Sequence, residues 1–148
     1  MIYFPATNII EQIRIGKFDL FRDLIEDNAI QMVDFSYKAI DAQVAPLIAQ
    51  ALEGLSVRCL NLGFNQIGPL GVIELAEGLK QSSIVELDLS RNGIGLAVVD
   101  LITKLKNTSV KAVKLAYNHI GVQGAKAVRP ILLASDIKVD LSHNYIWA

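Results

Sequence analysis

The feature that most constrains this chain is a nine-residue phrase that occurs five times. Four copies are LNLGFNQIG (60–68), LDLSRNGIG (87–95), VKLAYNHIG (113–121) and VDLSHNYIW (139–147), and a weaker copy is VDFSYKAID (33–41). Successive copies begin 26 or 27 residues apart. A unit of this length cannot bury its own apolar face, so a repeat of this period predicts units that stack side by side.

Each copy predicts a short strand and a sharp turn, and a helix is predicted between copies. Apolar residues stand five and three places before the Asn position, and Ile stands two places after it. Between copies, apolar residues recur at intervals of three and four, as on one face of a helix. Pro46 and Pro69 would lie near helix starts, where a missing N–H costs little. Pro130 would lie late in its helix and predicts a kink or an early end.

The spacing L-x-x-L-x-L-x-x-N-x-I resembles the leucine-rich repeat family, and NQIGPLGVIELAEGL and NHIGVQGAKAV resemble its ribonuclease-inhibitor subclass. The resemblance covers roughly residues 30–148. It implies an α/β solenoid shaped as a short curved horseshoe, with parallel strands on the concave face and helices on the convex face. It also implies that one Asn per repeat belongs to a buried, hydrogen-bonded Asn ladder. These residues are Asn65, Asn92, Asn118 and Asn144. Lys38 and the segment GLAVVD depart from the pattern.

The chain is expected to divide into a helical cap at residues 1–29 and about five repeats at residues 30–148, the last incomplete. Two helices are predicted in the cap, because apolar residues recur there at helical spacing on either side of Gly16-Lys17. The apolar residues are Ile9, Ile10 and Ile13, then Phe18, Phe21, Leu24 and Ile25. A solenoid needs such a cover over its first apolar face.

The other end of the stack is less regular. No helix follows the fifth phrase, so the strand around 138–141 is expected to be an open parallel edge. Three explanations stay open: the chain is a fragment of a longer protein, Tyr145, Ile146 and Trp147 fold back as a lid, or the edge pairs with a second copy to form a homodimer.

Composition favours one intracellular, globular chain without a nucleic-acid or membrane partner. The 148 residues carry 14 basic and 15 acidic side chains, so no electrostatic argument supports binding to nucleic acid or to an anionic membrane. The sequence contains no run of 18 apolar residues, so no membrane-spanning helix is predicted. The first residues lack the pattern of a secretory signal. With Cys59 as the only cysteine, an intramolecular disulfide is excluded. We expect a cytoplasmic protein, or alternatively a secreted effector that acts inside a host cell.

The candidate binding surface is the column of residues directly before the Asn position. Strand alternation directs this column toward the concave face or its rim. The five residues, called the ridge below, are Tyr37, Phe64, Arg91, Tyr117 and His143. Aromatic residues and Arg are enriched in binding hot spots. At a strand spacing of about 4.8 Å the ridge would be roughly 20 Å long.

Charged residues flank the ridge in four of the five copies, four places before the Asn position. They are Asp34, Asp88, Lys114 and Asp140. We predict that the ridge and these residues dock a protein partner. The alternative is that the ridge side chains pack on each other and shield the strand ends.

No motif for a catalytic, cofactor or metal site occurs in the sequence, so a non-enzymatic protein-interaction module without a cofactor is predicted. The resemblance adds a second hypothesis, a regulator of a small GTPase, because Ran GTPase-activating proteins share this repeat subclass. No rim residue can be matched to that activity. Inhibition of a ribonuclease is disfavoured, since a basic nuclease should attract a strongly acidic face. A last hypothesis is the recognition part of a larger receptor or bacterial effector.

Overall fold

The computed structural model describes residues 6–146, and its described strands form a single parallel sheet in chain order. The strands are β1 (Met32–Asp34), β2 (Cys59–Asn61), β3 (Glu86–Asp88), β4 (Ala112–Lys114) and β5 (Lys138–Asp140). Neighbouring strands pair in register, so equivalent residues of the five phrases lie side by side. The predicted α/β solenoid of parallel strands alternating with helices is confirmed.

The helices are α1 (Ala6–Arg14), α2 (Asp19–Asp27), α3 (Val44–Ala51), α4 (Gly68–Gly78), α5 (Val98–Leu105) and α6 (Gly121–Leu133), with short 3₁₀ turns at Leu79–Gln81 and Gly95–Ala97. α3 to α6 each follow one strand, and consecutive helices of this series pack against each other. Pro46 and Pro69 lie in the first turns of α3 and α4 as predicted. The early end predicted from Pro130 is wrong, because α6 continues to Leu133.

The apolar positions of the phrase form the core between the sheet and the helices. The middle residue of each of the first four strands is 2% exposed, and the apolar residue two places later is fully buried in the same repeats. The first row is Val33, Leu60, Leu87 and Val113, and the second is Phe35, Leu62, Leu89 and Leu115. Burying these rows supplies the main driving force for folding.

Where a helix begins depends on one glycine of the pattern. α4 and α6 begin three places after the Asn position, whereas α3 and α5 begin six places after it. The sixth place holds Gly71 and Gly124 in the first pair, but Val44 and Val98 in the second. A Cβ at Gly71 would lie only 2.7 Å from Cγ2 of Ile67, so the earlier helix start requires glycine there. The departure GLAVVD therefore shortens one helix without changing the fold.

The two N-terminal helices cover the first repeat. Phe21 and Ile25 of α2 are buried, and the rings of Phe21 and Phe35 lie 5.8 Å apart. The Arg22 guanidinium donates to the carbonyl oxygens of Ala51 (3.0 Å) and Glu53 (2.7 Å). α2 is thus tied both to the apolar core and to the C-terminal end of α3.

The last repeat is only partly covered. Val139 and Leu141 are half-buried, although their equivalents in the first four repeats are buried. The lid of Tyr145, Ile146 and Trp147, one of the three open explanations, includes Trp147, which lies outside the described residues. Tyr145 itself is 71% exposed, so its side chain does not cover this end.

Four asparagine side chains bind each repeat to the one before it. Asn118 is fully buried, and its amide nitrogen donates to the carbonyl oxygens of Leu89 (2.9 Å) and Leu115 (3.1 Å). Its amide oxygen accepts the backbone N–H groups of Asn92 (2.8 Å) and Ile94 (3.4 Å). Asn65, Asn92 and Asn144 make corresponding bonds to their own preceding repeats. These bonds satisfy buried backbone N–H and C=O groups of the turns, which the short strands do not pair.

Lys38 occupies the Asn position in the first repeat, where no earlier repeat exists for an amide to bridge. Its own N–H still donates to the amide oxygen of Asn65 (2.9 Å). The departure from the pattern therefore marks the beginning of the stack.

We expect Asn118→Ala to lower the free energy of unfolding by about 3 kcal/mol or more, because buried backbone donors and acceptors in two repeats lose their partners. Urea denaturation followed by circular dichroism measures the loss. The matched control is Asn107→Ala, since the Asn107 side chain is exposed and makes no hydrogen bond to a described residue. Equal effects of the two substitutions would contradict a structural role for the Asn ladder.

Candidate functional site

The ridge residues share one unusual backbone conformation. Each adopts a left-handed φ between 54° and 59° at the end of its strand. Such angles are uncommon for residues other than glycine. Because the same turn recurs in every repeat, the five side chains leave the backbone at equivalent points. They are Tyr37, Phe64, Arg91, Tyr117 and His143.

These side chains stack into one continuous column. The rings of Tyr37 and Phe64 are stacked with centroids 4.3 Å apart, and those of Tyr117 and His143 are stacked at the same distance. The Arg91 guanidinium lies between the pairs, 5.2 Å from the Phe64 ring centre and 4.1 Å from the Tyr117 ring centre. A cation held between two aromatic faces is favourable, and arginine's flat guanidinium suits this position.

The ridge stays open to solvent although its members contact one another. Tyr37 is 67% exposed, and Phe64 and Tyr117 are each 40% exposed. Arg91 and His143 are also exposed. The two interpretations of the column are therefore compatible, since the side chains pack together and still present their outer edges.

A groove of about 530 Å³ crosses all five strands beside the ridge. Residues of the five strands line this groove, and no ridge residue does. The ridge thus lies on the rim of the concave face, whereas the flanking charged residues lie inside the groove. Strand alternation alone does not distinguish the ridge residues from the flanking charged residues, because the alternation ends where the left-handed turn begins.

Charge is unevenly distributed along the groove. Carboxylates dominate the first three strands, with Asp34, Glu86 and Asp88, while Lys114 and Lys138 lie on the last two. Asp140 is the acidic residue of the last strand. The groove is therefore acidic at its N-terminal end and mixed at its C-terminal end.

Three of the four flanking charged residues also stabilise the strand ends. One carboxylate oxygen of Asp34, Asp88 and Asp140 accepts the backbone N–H of the serine two places later, at 2.9 to 3.0 Å. Asn61 makes the same bond to Gly63 (2.8 Å). This role was not predicted, although the recurring D-x-S phrase is a recognisable signal for such local turns. Lys114 makes no such turn and has only a groove-lining position.

The backbone N–H of Ser142 beside Asp140 holds the pKa of that carboxyl below its ordinary value. The Ser142 side chain and the charges of Lys114 and His143 lower this pKa further, against the opposing effect of burial. Asp140 therefore stays ionised at neutral pH and keeps a negative charge near His143, the last residue of the ridge.

A second, shorter stack was not predicted. His119 and Tyr145 directly follow the Asn position in the last two repeats, have left-handed φ values, and stack with ring centres 5.8 Å apart. Together with Arg91, Tyr117 and His143 they line a shallow cavity of about 260 Å³. The signal in the sequence was the pair of ring-bearing residues at equivalent places in consecutive phrases.

Cys59 is a half-buried groove residue whose thiol donates to Oε2 of Glu86 over 3.5 Å. Burial and the Glu86 carboxylate raise the pKa of this thiol, and a protonated thiol is a poor nucleophile. Among the described residues, no three potential ligands of the His, Cys, Asp or Glu type are grouped to hold a metal ion.

A leucine-rich repeat family model matches residues 55–76, 80–97 and 106–128. These segments coincide with repeats whose strands, turns and helices are described above. The chain is a leucine-rich repeat protein. No curated protein matches it significantly. Repeats of this family generally bind proteins and are usually non-catalytic. In the described part of this leucine-rich repeat protein, no helix is long and apolar enough to cross a bilayer.

We expect Asp140→Asn to lower the free energy of unfolding at pH 7 by less than about 1 kcal/mol, because the lost charge is solvent-exposed. Asn61 shows that an amide accepts the same turn bond. Since folding lowers the pKa of Asp140, its contribution is present above the ordinary value of 3.8 and is lost as the pH falls through the folded value. Urea denaturation at neutral pH and at about pH 2 should show the difference disappearing in acid. A difference that is independent of pH would contradict this assignment.

Proposed function

We propose that this leucine-rich repeat protein is a non-enzymatic interaction module that binds a protein partner on its concave side, with the ridge as the principal contact. The observation that carries the proposal is the exposed, continuous stack from Tyr37 to His143. Rigid aromatic side chains lose little conformational entropy on binding, because their neighbours already restrict them.

The groove supports a partner with a defined distribution of charge. A segment lying across the strands would meet carboxylates on β1 and β3 and lysines on β4 and β5. Complementarity favours basic groups at the first end and an acidic group near Lys114. Such complementarity mainly determines the orientation of a partner and its association rate. The aromatic rim is then expected to supply most of the affinity.

The test compares the sets of proteins captured by two variants and by the wild type. The ridge variant carries Tyr37→Ser, Phe64→Ser and Tyr117→Ser. The control variant carries Leu70→Ser, Leu96→Ser and Leu133→Ser, which remove three exposed apolar residues outside the ridge and the groove. Each immobilised protein is incubated with the same cell extract, and bound proteins are quantified by mass spectrometry.

We expect the wild-type protein and the control variant to retain a common partner that the ridge variant loses. For that partner, binding measured by calorimetry should weaken by about 30-fold or more in the ridge variant, as for hot-spot residues. Circular dichroism and urea denaturation must show that the ridge variant is folded. If it is folded and retains every partner, the proposal is wrong.

A further inference from the structure

The two edges of the sheet are not equivalent. At the first edge, α1 and α2 cover the apolar core, and Val33 and Phe35 are 2% and 0% exposed. At the last edge, the equivalent residues Val139 and Leu141 are half-buried. Only the β5 edge therefore has both an unpaired strand and incompletely covered apolar residues among the described elements.

The β5 edge presents backbone groups that earlier repeats use for pairing. In the fourth repeat, the N–H groups of Leu115 and Tyr117 donate to the carbonyl oxygens of Asp140 (2.9 Å) and Ser142 (3.2 Å). The equivalent donors of the fifth repeat belong to Leu141 and His143, and no described residue accepts from them. Lys138 already donates inward to Lys111, so the alternating residue Val139 directs its N–H and C=O outward.

The sequence along this edge is complementary to itself in one antiparallel register. If a two-fold axis passes beside Val139, that residue faces the Val139 of a second copy and exchanges two backbone hydrogen bonds with it. Lys138 then faces Asp140 of the second copy, and Asp140 faces its Lys138. One position further out, Ile137 faces Leu141 of the second copy.

The side-chain faces agree with this register. Lys138 and Asp140 are exposed and both line the groove, so the two opposite-charge pairs would form on the concave side. Ile137, Val139 and Leu141 contact the apolar core, so these residues would meet on the opposite side of the sheet. Directly opposed residues of an antiparallel pair have Cβ atoms about 5 Å apart, which suits both kinds of contact.

We propose that a second copy of this chain pairs with the β5 edge in this register, joining two sheets of five strands into one. A register shifted by one residue would put charged side chains opposite apolar ones. A head-to-tail arrangement, with β5 beside β1 of the next copy, would not place Lys138 opposite Asp140 and would continue into longer assemblies.

The test is a set of charge reversals that the repeats themselves show to be tolerated. Lys138→Glu introduces at this place the residue type of Glu86, and Asp140→Lys introduces the type of Lys114. Each single variant would place like charges opposite one another twice across the two-fold axis. The double variant Lys138→Glu with Asp140→Lys restores both opposite-charge pairs.

Sedimentation velocity of the full chain from roughly 10 μM to 1 mM measures association, a range suited to a small edge interface. We expect a monomer–dimer equilibrium for wild type and for the double variant. In each single variant the dissociation constant should rise by about tenfold or more, as opposed pairs become repelling ones. An equimolar mixture of the two single variants should recover dimers, because every contact across the axis is then between opposite charges.

Three results would overturn the proposal. The first is a wild-type monomer at every concentration, as expected if this edge is covered by another protein or by a further repeat. The second is an assembly larger than a dimer. The third is a charge dependence that differs from the expected one, whether the single reversals fail to weaken the dimer or the mixture fails to recover it. Recovery in the mixture also shows that both single variants are folded.

Discussion

The bond on which this structure depends is the one between each buried asparagine amide and the repeat before it. Strands of three residues provide few backbone hydrogen bonds, and the turns that follow would otherwise bury unpaired N–H and C=O groups. The amide of Asn92 satisfies carbonyl oxygens of its own turn and of Leu62, and its oxygen accepts the N–H of Ile67. To bring the amide back over its own strand, the preceding residue takes a left-handed conformation. The same constraint therefore directs the ridge side chains outward.

The link between the asparagine bonds and the left-handed turn explains which features of the candidate site are set by the fold. The turn fixes where the five ridge side chains emerge, and the in-register strands fix their spacing. Neither constraint fixes which side chains they are, because any exposed residue could occupy the place. Aromatic residues and one Arg instead form a stack in which Arg91 lies between Phe64 and Tyr117. The fold therefore leaves the identity of these residues open, and the proposed binding role can determine it.

The period of the phrase predicted the fold well, because spacing alone determines which faces must be buried. It predicted that the ridge side chains point toward the concave face or its rim, but strand alternation could not distinguish these two positions, because it ends at a left-handed turn. It also missed that Asp34, Asp88 and Asp140 bind their own turns. The early end predicted from Pro130 was wrong for a different reason: Ile131 and Leu132 pack against the core, and this packing holds the last turn of α6 despite the missing N–H.

The two proposed surfaces share Lys138 and Asp140, whereas the ridge residues and the groove residues of β1 to β3 do not take part in the β5 contacts of the dimer. In a two-fold dimer through β5, the strands of the two copies run in opposite directions, so the two ridges lie on opposite rims of the joined sheet. Lys138 and Asp140 would neutralise each other at the centre of the combined groove. The acidic residues of β1 to β3 would then lie at both ends. A symmetric assembly of this kind favours partners that carry two equivalent basic segments, since binding the first segment raises the effective concentration of the second.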